Sequence, residues 1–311
     1  MLSGFLADFG QKAAERWASL LVLPGLVFTA VATAAVVLGQ RSWWDMPLLW
    51  RKLAAFAAGP GGQQSGSVRT AVLLLGVLAV SLISVLVAGG LGELYAHLLA
   101  GRWPLPLRRL LAGRLTERRV RAWERRERDR RQAWEEWQAS ADEADSGVAE
   151  MRIAELEALR NDVALMRPAC PTWTGDRLRA LTERVRGQYR LDLADAWPRL
   201  WLLLPDATRQ PLTESRARLD EAARLGGWAV LYVVLGGVWW PSALGGICAG
   251  LLAWRWTRKR TADYADLVEA VVDVHIADLL DRFDDETRPA RPGKGPAVTE
   301  RFRKGAGARH H

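Results

Sequence analysis

Residues that carry chemistry are scarce in this chain. Among 311 residues there are four histidines and two cysteines. No glycine-rich loop ends in Gly-Lys-Ser/Thr, since Gly293-Lys294-Gly295 falls in the tail, and neither His-Glu-x-x-His nor Gly-x-Ser-x-Gly occurs. Metal-assisted and nucleophilic catalysis therefore lack their parts, and the sequence reads as a non-enzyme with no cofactor and no metal site. Cys170 lies in a polar segment and Cys248 in an apolar one, so no disulfide framework is expected. Lysine is rare too, five against 38 arginines, a bias that points to a GC-rich bacterial coding sequence.

Long uncharged runs are present instead. Half the residues are hydrophobic and a quarter are charged, so the two kinds must be segregated along the chain. Leu20 to Gly39 and Ala71 to Gly92 carry no charge, and each is about long enough to cross a bilayer. The first run exceeds the ~7–15 residues of a signal-peptide core and is read as an uncleaved helix. Leu225 to Trp254 holds no ionisable side chain except Tyr232 and Cys248, with Trp239-Trp240-Pro241 at its centre. A straight helix over this stretch would be about 45 Å long, against about 30 Å of hydrocarbon, so a hairpin folded at Trp-Trp-Pro is expected.

Sidedness follows from Lys and Arg near the membrane ends. Lys12, Arg16, Arg102, Arg108, Arg109, Arg114, Arg209, Arg216, Arg218, Arg224, Arg255, Arg258, Lys259 and Arg260 fall on one side, against Arg41, Arg51, Lys52 and Arg69 on the other. The richer side is the cytoplasmic one, which puts both termini inside and requires an even number of crossings. The fold class expected is all-α: a polytopic protein of the cell (inner) membrane with four transmembrane helices, the last two a tight hairpin, and a helical cytoplasmic lobe.

The expected segments are an amphipathic start (1–19), helix 1 (20–39), an external loop (40–69) and helix 2 (70–94). A basic juxtamembrane segment and helical arm (95–167) and a Trp-rich subregion (168–221) come next. The hairpin (222–257), an acidic helix (258–286) and a disordered tail (287–311) complete the chain. In the loop, Trp43, Trp44 and Trp50 suit the outer interface. Small residues recur at every fourth position: Gly25, Thr29 and Thr33; Ser84, Ala88 and Gly92; Ser242, Gly246 and Gly250. In lipid such stripes are packing faces, because they let backbones approach closely.

Twelve arginines against four acids give 102–131 a net charge of +8, and nine acids against Arg282 give 261–287 a net charge of −8. The two runs could neutralise each other within a subunit or between neighbours. Arg102, Arg108, Arg109 and Arg114 lie beside the bilayer and are read as contacts for anionic headgroups, worth about 1 kcal/mol per basic residue. Nucleic acid is the weaker partner, because beyond Arg114 arginine alternates with glutamate as on a solvated, ion-paired helix. Trp134, Trp137, Ala141, Ala144, Val148 and Met151 form one apolar seam. Leu156, Leu159, Val163 and Met166 form a second, out of phase by one residue, which leaves a two-helix hairpin and one long rod equally open. Self-association through this arm is expected. Trp197, Trp201 and neighbouring leucines form an apolar surface too small to be a core alone. It should cover the molecule's own parts, with an unidentified cytoplasmic protein as the other occupant.

Pro171-Thr172 with Gly175, then Tyr189, Leu191-Asp192, Trp197-Pro198-Arg199-Leu200-Trp201 and Leu204-Pro205, resemble a pattern of uncharacterised bacterial multi-pass membrane proteins. Tyr264 and Asp273-Val274-His275 resemble that group's C-terminal motif. The resemblance covers roughly Pro171 to Leu280 and implies architecture, not catalysis. Arg190 stands where that pattern has glycine. The function expected is an integral membrane anchor or interaction scaffold. The alternative is a channel component whose oligomerised helices enclose a pore lined by Ser81, Ser84, Thr29 or Thr33.

Overall fold

The computed structural model describes residues 23–58, 66–139 and 146–282; for 56–58, 66–70, 107, 109 and 146 it describes the backbone only. The expected N-terminal amphipathic segment, part of the external loop (59–65) and the C-terminal tail lie outside the described residues. Every described element is helical. The order is α1 (Leu23–Leu38), α2 (Met46–Ala58), α3 (Gly66–Leu99), a single turn Leu105–Leu107, a π-turn Arg108–Ala112, and α4 (Gly113–Ala139). After these come α5 (Ser146–Val163), α6 (Trp173–Tyr189), α7 (Leu193–Leu203), α8 (Asp206–Leu235) and α9 (Trp240–Arg282). Two compact units result: residues up to Tyr95 with Asp220–Arg255, and Ala96–Leu219 with the residues from Trp256 onward.

The first unit is packed with small side chains and faced with large apolar ones. Its buried residues include Thr29, Ala35, Ser81, Ser84, Ala88, Ala223, Ala229 and Ser242, whereas Val36, Leu74, Leu75, Leu82, Ile83, Leu86, Val234 and Leu251 are exposed. Each seam between its helices is a close backbone approach. A Cβ added to Gly25 of α1 would lie 2.7 Å from the Ser81 carbonyl oxygen of α3. The Thr29 and Ser81 hydroxyls of the same seam are 3.0 Å apart. A Cβ on Gly227 of α8 would strike the Ala88 carbonyl oxygen of α3, and one on Gly246 of α9 would come within 2.7 Å of the Val233 nitrogen of α8.

The stretch 225–254 is not one rod. α8 ends at Leu235, and α9 restarts at Trp240 with Pro241 at its front, where a missing N–H costs nothing. Gln40 bridges this turn to the end of α1, donating to the Gly236 and Gly237 carbonyls (3.1 and 2.9 Å) and accepting from the Trp240 amide. Trp43 and Trp240 pack there with their rings tilted by 59° and their centroids 5.0 Å apart. Among the described residues α3 alone, over Ala71–Leu99, is long and apolar enough to cross a membrane, with a mean hydropathy of 2.9. α1 is shorter, at 16 residues.

The second unit has an ordinary core. Leu181 and Val185 of α6, Leu191, Leu200 and Leu204 around α7, and Leu212 of α8 pack with Val268, Val272, Ile276 and Leu279 of α9. Burying each of these leucines contributes roughly 1.5–3 kcal/mol. The Trp-rich surface therefore covers the acidic helix, which the sequence left among several candidates. The arm is a hairpin, α4 against α5, because the phase slip near Gly147 falls at the joint.

Local signals set the ends of these helices. The Thr172 hydroxyl accepts from the Gly175 amide and Asp192 from the Ala194 amide, N-capping α6 and α7. Arg190 closes α6 in the left-handed region (φ 52°), the one described non-glycine residue with positive φ. An L side chain there costs about 1–2 kcal/mol. Arg190→Gly should therefore raise stability by about 1 kcal/mol, read as a higher unfolding midpoint. Gly227→Val should lose about 1–3 kcal/mol by overpacking against a backbone carbonyl. Gly76→Val, whose added Cβ meets nothing within 4 Å, should leave the melting of the detergent-solubilised protein unchanged.

Candidate functional site

The chain turns sharply after α3. Gly101 adopts φ +80°, and its amide and that of Arg102 return to the carbonyls of Leu98 and His97. Trp103 donates its indole N–H to Leu98 O at 2.9 Å, and the Thr172 hydroxyl donates to Leu99 O, so the end of α3 is closed by side chains. A Cβ on Gly101 would approach Cys170 at 3.3 Å, so the turn also needs glycine for space.

α4 then divides its arginines between two faces. On the inner face Arg119 binds Asp176 at 2.7 Å and Val163 O at 2.8 Å, while the Trp123 indole donates to Ala164 O at 2.9 Å. Buried Glu127 accepts from Arg130 (2.9 and 3.0 Å), Arg131 (3.1 Å) and, across the hairpin, Arg160 (3.1 Å). The hydrogen bond from Arg130 leads in holding its carboxyl down, from the ordinary 4.5 to about 2, with Arg160 and Arg131 helping against the opposing effect of burial. Asp176, also buried, accepts the Ala169 and Cys170 amides at 2.9 Å each. Glu124 is drawn to Arg167, 2.9 Å away. On the outer face Arg114, Arg118, Arg121, Arg125 and Arg128 recur at 4-3-4-3 spacing, and all are exposed.

Among the described residues no ion pair joins the two oppositely charged runs. Arg177 of α6 binds Asp266 and Glu269 (the latter at 2.8 Å), Arg184 binds Glu269 and Asp273 (the latter at 3.3 Å), and Tyr189 donates to Asp273 at 2.8 Å. The fold brings α6, with its own arginines, onto the acidic helix first, a choice that net charge along the chain does not encode. His275 lies 3.5 Å from Asp278, one helical turn on.

Beside the turn after α3 is a cleft of about 930 Å³. Arg102 and Arg108 stand at its rim with Trp103; Ala112, Thr116 and Val120 form its floor; Cys170 and Pro171 close its far side. Burial, then the nearby Asp176 carboxylate, push the Cys170 thiol up, away from the reactive thiolate. Of the arginines expected at the lipid surface, Arg102 and Arg108 line this cleft and Arg114 stands on the outer face of α4; the Arg109 side chain lies outside the described set. Trp134 and Trp137 meet at a tilt of 54° with centroids 5.0 Å apart near the end of the arm, with Trp134 exposed. Trp197 and Trp201, 6.1 Å apart, are partly buried against the core of the second unit. Ala88, Gly92 and Gly246 sit at helix seams of the first unit, Gly250 in ordinary contact with Ala229, and Ser84 is buried with its hydroxyl returned to Val80 O. The cleft, the buried Asp176 and the exposed arginine stripe were not anticipated from sequence, although the 4-3-4-3 recurrence of arginine was there to be read.

Glu127→Gln should cost about 2 kcal/mol at neutral pH, since it removes the carboxylate shared by Arg130, Arg131 and Arg160 and leaves the mostly buried Arg160 with the exposed Glu157. The Glu127 contribution is fully present above pH 4.5 and is lost as the pH falls toward 2, so chemical unfolding of wild type and variant should converge over that window. The chain matches no family model, no curated protein and no solved structure.

Proposed function

We propose that this chain is an integral membrane anchor with four crossing helices and a cytoplasmic lobe that serves as an interaction scaffold, self-associating through its arm. One observation carries the reading: the first unit keeps its small residues inside and its large apolar residues outside. In water that arrangement would leave a wide apolar surface unprotected, whereas in lipid only close packing and hydrogen bonds hold helices together. The Trp43–Trp240 contact supports it, because both belong to segments with few basic residues, where an outer aromatic belt is expected.

The two arms of the hairpin are short. Leu225–Leu235 and Trp240–Trp254 are 11 and 15 uncharged residues, about 16 and 22 Å of helix against about 30 Å of hydrocarbon. Arg224 and Arg255 flank them, and long arginine side chains can extend to the headgroups from below the interface. Crossing fully or only dipping in, a hairpin returns the chain to its starting side, so the cytoplasmic assignment of the lobe does not depend on its depth. Leu105, Leu110 and Leu111 are exposed beside Arg102, Arg108 and Arg114, a combination suited to the anionic inner surface. For the channel reading, the hydroxyls of Thr29, Ser81 and Ser84 are buried in a seam or bonded to backbone, which leaves them unsuited to line a pore.

The protein should resist alkaline carbonate extraction from membranes. In a background with Cys170 and Cys248 replaced by alanine, single cysteines at Trp44 and Trp240 should react with an impermeant maleimide on intact cells. Cysteines at Gln132 and Gln188 should react only after permeabilisation. Labelling of Gln132 in intact cells, or ion flux through reconstituted liposomes, would contradict the reading.

A further inference from the structure

We infer that the cleft at the start of α4 is a discrete site for one anionic glycerophospholipid, with its phosphate on Arg102 and Arg108 and its glycerol and first methylenes over Ala112, Thr116 and Val120. The inference rests on the membrane reading above and goes beyond diffuse attraction to a charged surface. Three features of the cleft converge on it.

Charge is the first. Four arginines and two glutamates line the cleft, and the glutamates are taken: Glu117 by Arg121 at 3.5 Å and Glu124 by Arg167 at 2.9 Å. Arg102 and Arg108 have no carboxylate partner among the described residues, so the rim holds two guanidinium groups whose forks match phosphate oxygens. The second feature is shape. The volume, about 930 Å³, lies within the usual range for ligand pockets, and the floor is made of small and apolar groups, with the Thr116 hydroxyl committed to Ala112 O at 2.8 Å. A soluble phosphate has no use for such a floor, whereas the apolar end of a lipid does.

Position in the chain is the third. Arg102 is three residues beyond Leu99, the last residue of the apolar span, so it stands at headgroup level if α3 crosses. Between the two rim arginines Leu105 exposes 69% of its surface, and just past them Leu110 exposes 67%. The π-turn Arg108–Ala112 forms one wall, an element that concentrates at functional sites.

The full-length protein, purified in mild non-ionic detergent, is incubated with phosphatidylglycerol or phosphatidylcholine and examined by native mass spectrometry. Wild type should retain one phosphatidylglycerol and at least fivefold less phosphatidylcholine. Arg102→Gln with Arg108→Gln should cut retention at least fivefold. Arg118→Gln with Arg125→Gln, which removes the same charge from the outer face of α4, should keep it within twofold. Gly113→Leu fills the cleft without changing charge, and a side chain there meets nothing within 4 Å and favours helix, so this variant stays folded and should also lose the lipid. Equal loss in the Arg118/Arg125 variant, or full retention by Gly113→Leu, overturns the site. Displacement of the lipid by inorganic phosphate at equal concentration overturns the choice of a lipid. A carbonate-resistant protein that retains no lipid refutes only this inference, whereas a carbonate-extractable one refutes the membrane reading beneath it.

Discussion

The two units place their large apolar side chains oppositely, and much of the rest of the structure follows from that. Where water drives packing, leucine, isoleucine and valine gather inside, as Leu200, Leu204, Val272 and Leu279 do in the second unit. In the first unit the same side chains face outward, and glycine, alanine and serine occupy the seams. That inversion gives Gly25, Gly227 and Gly246 their role: each admits a neighbouring backbone where a Cβ would collide. Dispersion between closely apposed backbones and the Thr29–Ser81 hydroxyl pair do there what the hydrophobic effect does elsewhere.

In the second unit, cations outnumber the acids that can reach them, and folding becomes a matter of allocation. Arg177 is nearly buried, and it is tolerated because Asp266 and Glu269 meet it. Asp176 gathers one guanidinium and two amides, Glu127 three guanidiniums. Each carboxylate so committed is unavailable to the outer side, where Arg121 meets the exposed Glu117.

Periodicity carried most of the architecture. The uncharged runs and the helix break before Pro241 can be read from spacing. The two seams expected for the arm are not its packed face: Trp134, Val148, Met151, Leu159 and Met166 are exposed, and Ala133 and Ile153 are buried instead. The left-handed turn at position 190 was not legible, because arginine stands where that geometry favours glycine. Pairing was not legible. Glu124 and Glu127 look like neighbours of the arginines around them until a second helix supplies Arg167 and Arg160 from more than thirty residues away. The cleft was hidden for the same reason, since its far wall comes from Cys170 and Pro171.

The π-turn from Arg108 to Ala112 holds more residues per turn than an α-helix would. It therefore fixes the angular phase of everything in α4 behind it. Removing one residue from this turn would rotate the helix by about 100°, carrying Trp123 and Glu127 away from α5 and turning the arginine stripe inward. A single codon lost here would reverse the faces of the arm while leaving every side chain in α4 intact, so the segment acts as a phase gauge in which length counts for more than composition.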